Sequence, residues 1–432
     1  MERSAPPPLI ARLRTLGLSG AFISVTTLFF AWGFIASNND PLIVALRSAF
    51  QLTYTEALAI QLVSFLAYGL FSLPAATLGT RLGTTNALMV ALATMVAGCL
   101  LVRLVLPFNH YALILAALFV LAAGITTLQV TANPLAAALG PAPTSHFRLS
   151  LAQTFNSLGV VIGVNYGTSV MLGERIIAAG QGRVTGAEQR AEVLGAVGSA
   201  FTTMAVCLAV VGLFVWSQRR RIALASDAGA PDRDASVLAA LRSRWALAGA
   251  LAIGLYVGAE VSIGSIMINF LHQPAIMDLP LEEGGRYLAN LYWGGALLGR
   301  FIGSLLLTRI AAPRLLLSCA AAAALLCLVA LSGLGPVSGL AALAVGLFNS
   351  VMFPIVFTLT LERSGVSQNA TSGLLCLAIA GGGALPFMVG RIADAASLGL
   401  AFAVPAVAYV FVAGFAICAA RSPARPAPGW TS

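Results

Sequence analysis

Apolar residues fill this chain in continuous stretches of membrane length, and polar residues are confined to short breaks between them. A bilayer core of about 30 Å takes about 20 residues of α-helix. On that rule spans are predicted at roughly 20–46, 54–78, 85–107, 111–138, 148–173 and 196–217, and again at roughly 245–271, 287–309, 313–334, 337–361, 367–391 and 398–420. Between the two sets lies a polar gap holding Arg219, Arg220, Arg221, Asp227, Asp232, Arg233, Asp234, Arg242 and Arg244. The other fold that satisfies its backbone in lipid is a closed β-barrel, whose strands alternate apolar and polar positions. The runs here are continuous, so the expected fold class is an all-α membrane protein with twelve transmembrane helices in two six-helix bundles. The organisation is a tail at 1–19, a first bundle at 20–217, a linker at 218–244, a second bundle at 245–420 and a tail at 421–432.

Composition agrees with that class. Hydrophobic residues make up 59% of the chain and charged ones 9%, which excludes an ordinary soluble domain. All 24 basic residues are arginine, and the net charge is +9. Cytoplasmic loops collect positive charge. Arg3, Arg12, Arg14, Arg81, Arg148, the linker arginines, Arg309, Arg314, Arg363, Arg421 and Arg425 fall on one side, and fewer on the other: Arg47, Arg103, Arg175, Arg183, Arg190, Arg286 and Arg391. The expectation is a multi-pass protein of the bacterial cytoplasmic (inner) membrane with both termini in the cytoplasm. The positive charge is explained by topology and calls for no nucleic-acid partner. The tail before residue 20 has no small-residue cleavage site, so no removable signal peptide is expected.

Several chemistries are absent from the pattern. Without lysine there is no phosphate-binding P-loop. His110, His146 and His272 are far apart and lack zinc-ligand spacing, and His146 reads as a loop residue in place of a proton relay. Cys99, Cys207, Cys319, Cys327, Cys376 and Cys418 lie within predicted spans and read as packing residues. No catalytic set, no metal site and no cofactor are expected, and the protein reads as no enzyme.

A weak repeat relates the halves. TLGTRLG at 77–83 is echoed by LLLTRIA at 305–311, and ANP at 132–134 by MFP at 352–354. Half-repeats of this kind describe secondary transporters, whose site lies near mid-depth between two bundles that expose it alternately to each side.

Asp40 and Glu260 then stand out, because they sit in otherwise apolar stretches at near-corresponding places of the two halves. A carboxylate at the bilayer centre is disfavoured by about 2.5 to 3.5 kcal/mol and usually faces an interior or a wet cavity, where it handles an ion or substrate. Asn38, Asn39, Asp40 and Pro41 break the first span, and the proline leaves carbonyls one turn earlier without a donor. Gln129 and Asn133, four apart, share a face of the fourth span; Gln153 and Asn156, three apart, share one of the fifth. Carboxamides suit ligands with several hydroxyls; the alternative is interhelical hydrogen bonding worth about 1 kcal/mol. Gly159, Gly163 and Gly167 have small-xxx-small spacing, which lets a neighbouring helix approach. The GGG run at 381–383 reads as a pliable or close-packed point in a helix.

The strings SNNDPLI, LQVTANPLAAALGP, HFRLSLAQTFNSLG, LYVGAEVSIGSIMINFL, YWGGALLGRFIGS, GLFNSVMFPIVFTLTLE and SGLLCLAIAGGGALP resemble the fucose permease family of the major facilitator superfamily, in particular its glucose/galactose transporter branch. The resemblance implies a twelve-helix fold of two bundles that imports a monosaccharide, a hexose such as glucose, galactose or fucose, with a coupling ion, usually a proton. It implies that Asp40 takes part in coupling and sugar recognition and that Asn156 contacts sugar. In one place the chain departs from the fucose permease, whose proton-carrying glutamate in the fourth span is matched here by Gln129. An amide cannot titrate, and the sugar/cation branch shares that glutamine.

Glu260 is the natural replacement in ion coupling, with a proton or sodium as the cation. Alternatively it forms a structural ion pair with Arg300, the only arginine deep in a span; the two roles can alternate. Asn269, Asn290, Tyr292, Trp293 and Asn349 complete the C-terminal substrate candidates, since aromatic rings stack on sugar rings and amides read hydroxyls. Trp32 can serve likewise. The alternative function is export or import of another small polar solute or drug. The expected partners are a sugar, a coupling cation and the lipid bilayer, and the protein is expected to be a monomer.

Overall fold

The computed structural model describes residues 20–52, 56, 59–171, 186–226, 237–279 and 281–424. Both terminal tails through Arg14 and from Arg425, the linker acids Asp227, Asp232 and Asp234 with Arg233, and Arg175 and Arg183 lie outside the described residues, as do the side chains of Asp40, Arg47 and Asn269. Among the described residues the structure is helical throughout, without strands.

In the first half α1 (Gly20–Ala36) and α2 (Asn39–Phe50) form one interrupted span, followed by α3 (Ala59–Leu82), α4 (Thr84–Val105), α5 (Tyr111–Ala138), α6 (Ser145–Met171) and α7 (Ala187–Ser217). A short α8 (Arg219–Ser226) enters the linker. The second half has α9 (Arg244–His272), then α10 (Leu281–Tyr287) and α11 (Gly294–Leu306) separated by a π-helical stretch at Leu288–Trp293. It continues with α12 (Ala312–Leu331), α13 (Pro336–Asn349), α14 (Met352–Arg363), α15 (Gln368–Gly381), α16 (Ala384–Ala395), α17 (Leu398–Ala401) and α18 (Ala403–Arg421).

The breaks follow from the sequence. The α1–α2 turn falls at Ser37 and Asn38, and Pro41 then sits in the first turn of α2, where its missing N–H costs no helical bond. Pro354 holds the same place after the break between α13 and α14, whereas Pro134 lies inside an unbroken α5. The glycine run ends α15 and begins α16, and a Cβ at Gly382 would press on the backbone of Gly254 and Gly258, so it is a close-packed crossing with α9. The sixth span begins at Ala187, ahead of the expected boundary, because Glu188, Arg190 and Glu192 extend the helix beyond its apolar part. Cys99, Cys327 and Cys376 are buried as expected, but Cys207 and Cys418 lie on exposed faces of α7 and α18 and contribute nothing to the core.

Ten stretches among the described residues are long and apolar enough to cross a membrane. The fifth and eighth predicted spans, α6 and α10–α11, are of similar length but more polar. These two helices pack against each other across the seam between the halves, and Gln153, Ser157 and Arg300 meet there. The seam is completed by α3 and α5 against α15, and by α6 against α14.

Candidate functional site

The seam gathers the polar side chains of both halves at mid-depth. On the N-terminal side, α5 and α6 meet through a hydrogen bond from Gln153 Nε2 to Asn133 Oδ1 at 3.2 Å, and both residues are buried. The Asn133 Nδ2 group has no partner. Gln129 Nε2 donates to the Tyr68 hydroxyl, which ties α5 to α3.

From the C-terminal side Arg300 of α11 reaches across. Its Nη1 donates to Ser157 Oγ at 2.8 Å and to the Gln153 carbonyl at 3.5 Å, while Nε donates to the Ser350 carbonyl at 3.0 Å. Gly299 makes this reach possible, because any Cβ there would strike the Leu347 carbonyl and hold α11 away from the α13 end. The planar guanidinium therefore spans the two halves with both ends engaged.

The structural ion pair expected between Arg300 and Glu260 is not formed: no nitrogen–oxygen contact within 4.0 Å joins them. Arg300 spends its donors on Ser157, Gln153 and Ser350, and the carboxylate is left in electrostatic reach but out of contact. Glu260 is half-buried, and its Oε1 has no hydrogen-bond partner. Tyr256, one turn earlier on α9 and fully buried, interacts with both Glu260 and Arg300, yet its hydroxyl forms no hydrogen bond. Trp293 completes this corner. Its ring lies against α9 at Gly264, one turn beyond Glu260, and stacks edge-on with Tyr292 at 5.0 Å.

Several other expected site residues make hydrogen bonds within their own half. Tyr292 and Asn349 are fully buried inside the C-terminal bundle, where Asn349 Nδ2 donates to the hydroxyls of Tyr292 (3.0 Å) and Tyr409 (3.2 Å) and Tyr292 donates to the Glu260 carbonyl (3.1 Å). That network holds four helices together and positions the backbone of Glu260. Asn156 donates to the Phe29 carbonyl at 3.1 Å and packs on Gly33, and so joins α6 to α1. Asn38 donates to the Phe34 carbonyl at 2.6 Å, and its Oδ1 lies unpartnered against Gly167. Asn290 is exposed in the π-helical stretch, and Trp32 is half-buried against Phe29. Asp40 is placed in the first turn of α2 and Asn269 in the last turn of α9.

His146 departs from the loop reading. It sits in the first turn of α6, with Nε2 at 3.1 Å from Glu362 Oε1 and Nδ1 against the Thr358 hydroxyl. The reason is Ser145 beside it, whose Oγ donates to the same Glu362 oxygen, so the helix start is fixed by the opposite half. Glu362, Tyr256, Ser157 and Tyr68 are the contributors that sequence reasoning missed. Tyr256 and Ser157 were recoverable, since each lies four residues from a candidate, Glu260 and Gln153, and so shares its face.

Arg300 to Ser157 and Gln153, Ser372 Oγ to the Val130 carbonyl (2.7 Å), and the Glu362 cluster join the halves from mid-depth to the end where the linker leaves. The halves are latched at the linker end.

A family model described as Major Facilitator Superfamily matches residues 16–385. The chain is 37% identical over 402 residues to a glucose/galactose transporter of Brucella abortus, covering 93% of this chain and 94% of that one. It is 30% identical to an L-fucose-proton symporter of Escherichia coli, covering 91% and 92%. Its structure resembles the Major Facilitator Superfamily transporter FucP solved in the outward conformation, with TM-score 0.81, 27% identity and coverage of 94% and 100%. A proton:xylose symporter at 12% identity and TM-score 0.69 shares the fold. With two six-helix bundles meeting at a polar seam and a family model matched over most of its length, this chain belongs to the Major Facilitator Superfamily.

Proposed function

We propose that this protein is a cation-coupled importer of a monosaccharide, a hexose of the glucose, galactose or fucose type, working by alternating access across the bacterial cytoplasmic membrane with both termini inside. The observation that carries the reading is Glu260. It is a half-buried carboxylate with an oxygen left unbonded, one turn along α9 from Gly264, where a partly exposed Trp293 packs, and within the field of an arginine that grips the opposite half. The names of the relatives support the substrate class and a coupling ion.

In this reading the latched linker end corresponds to a site open to the outside. A bare carboxylate in the seam attracts Arg300 away from Ser157 and resists movement of the halves. A cation on Glu260, proton or sodium, removes that pull, and sugar bound between Trp293 and the Gln153–Asn133 pair completes the closed state. Asp40 is the second coupling group. The protein works as a monomer and uses no cofactor other than the coupling ion. One charge crossing 100 mV contributes about 2.3 kcal/mol, roughly fortyfold accumulation. Counterflow and net uptake of labelled hexoses by proteoliposomes, under separate pH and sodium gradients, test it. Absence of hexose flux under every gradient, with folded protein in the membrane, overturns it.

A further inference from the structure

A groove of about 510 Å³ runs between α9 and α18 on the outer face of the C-terminal bundle, away from the seam. Its walls are Leu251 and Phe411, each about 60% exposed, and its floor opens at Gly414, where an added Cβ would meet no atom. From Arg244 to Leu255 the α9 wall rises about 17 Å at 1.5 Å per residue. That is close to half of a bilayer core of about 30 Å, the depth of one leaflet.

The mouth at the linker end is cationic. Arg244 lines it, and Arg421, three residues beyond the lining residue Cys418, extends the same face of α18. Both are exposed, and neither forms an ion pair among the described residues. The nearby acid Glu362 is already engaged by His146 and Arg363. The positive end of the long α9 dipole points to the same place. Trp245, edge-on to Phe415 at 5.9 Å, stands at head-group depth, where indoles are favoured. An apolar slot one leaflet deep below two uncompensated guanidinium groups matches one class of molecule.

We infer that this groove binds an anionic phospholipid of the linker-side leaflet, with its phosphate on Arg244 and Arg421 and one acyl chain along Leu251, Phe411 and Gly414. Basic pockets between membrane helices recognise lipid phosphate in this way, each arginine contributing about fivefold in affinity. The site is separate from the seam, so its occupancy and sugar transport are independently measurable.

The test is native mass spectrometry of the delipidated full-length protein titrated with phosphatidylglycerol or phosphatidylcholine of the same chains. Phosphatidylglycerol is expected to saturate one site at least tenfold more tightly than phosphatidylcholine. Arg244→Gln with Arg421→Gln should erase that preference, a loss of about 25-fold. Gly414→Trp, which fills the slot without touching either arginine, should also abolish saturable binding, while Arg314→Gln at another linker-side arginine leaves it intact. Equal binding of the two lipids, retention of phosphatidylglycerol by the double variant, or indifference to Gly414→Trp each overturns the inference. A thermal-stability profile matching the parent shows that the variants are folded.

Discussion

Nε2 of His146 in the first half lies 3.1 Å from Oε1 of Glu362 in the second, and the other carboxylate oxygen of Glu362 accepts from Arg363 at 3.0 Å. One side chain thus carries most of the polar contact at the linker end, with Ser145 donating to it and Thr358 held by the same histidine. Its carboxylate is only 13% exposed, so the contact is weakly screened, unlike a surface pair.

Removing that charge should loosen the latch. Glu362→Gln keeps the shape and loses the charge-assisted bonds, each worth about 1.5 to 3 kcal/mol. The variant should populate the state open at the linker end at least tenfold more than the parent. Spin labels placed at the linker-side ends of α4 and α12 report this as a longer distance component. An unchanged distance distribution would show that apolar packing of α3 against α15 closes this end without Glu362.

The coupling role of Glu260 separates from substrate binding. Glu260→Gln removes the titratable, cation-binding oxygen and preserves volume, so uphill accumulation of sugar should fall to the equilibrium ratio while counterflow survives. Asp40→Asn should behave likewise if two carboxylates share the task. Retained accumulation in the Glu260 variant assigns coupling elsewhere, with Asp40 as the next candidate.

Much of this arrangement was legible in the residues. Continuous apolar runs and an arginine-rich gap give the helices and the two halves, because lipid leaves the backbone few options. Glycines 159, 163 and 167 announced a close helix contact, and in the structure they meet Phe30, Phe34, Ser37 and Asn38 of the first span. Side-chain partners were less legible. Asn349 and Tyr292 look like ligand-binding groups in sequence, and in the structure both are buried inside their own bundle, where the Asn349 amide donates to the Tyr292 hydroxyl and its Oδ1 has no partner. The spacing rule says which face of a helix a residue shares, and it says nothing about which neighbour that face meets. Glu362 was overlooked for the same reason: at the end of an apolar run it reads as a boundary, and its partners in the first half, Ser145 and His146, are more than two hundred residues away.

Arg300 and Glu260 interact at a distance, and a pair of variants distinguishes that from independence. Arg300→Gln leaves a partly buried carboxylate without a counter-charge and unties Ser157, so it should lower stability by about 1 to 3 kcal/mol. Adding Glu260→Gln removes the orphaned charge. The double variant should therefore unfold later in a thermal-shift assay than Arg300→Gln alone. Strict additivity of the two effects would mean that no energy flows between the groups in the folded state.

The packing of the first span on α6 gives the sharpest structural expectation. A Cβ at Gly33 would overlap the Asn156 backbone, and one at Gly159 would overlap the Phe30 carbonyl, so neither helix can keep its place if alanine is introduced. Backbone atoms have no rotamer by which to retreat, and overpacking of this kind costs about 1 to 3 kcal/mol. Because Asn156 also bonds the Phe29 carbonyl at 3.1 Å, a shift of α6 would carry Gln153 and Ser157 with it and spoil the Arg300 contact. Gly159→Ala should therefore lower both the melting temperature and the transport rate, and Gly195→Ala, which meets open space on α7, should change neither. If the two variants melt and transport alike, the close approach of the first span to α6 is not what sets the position of the seam.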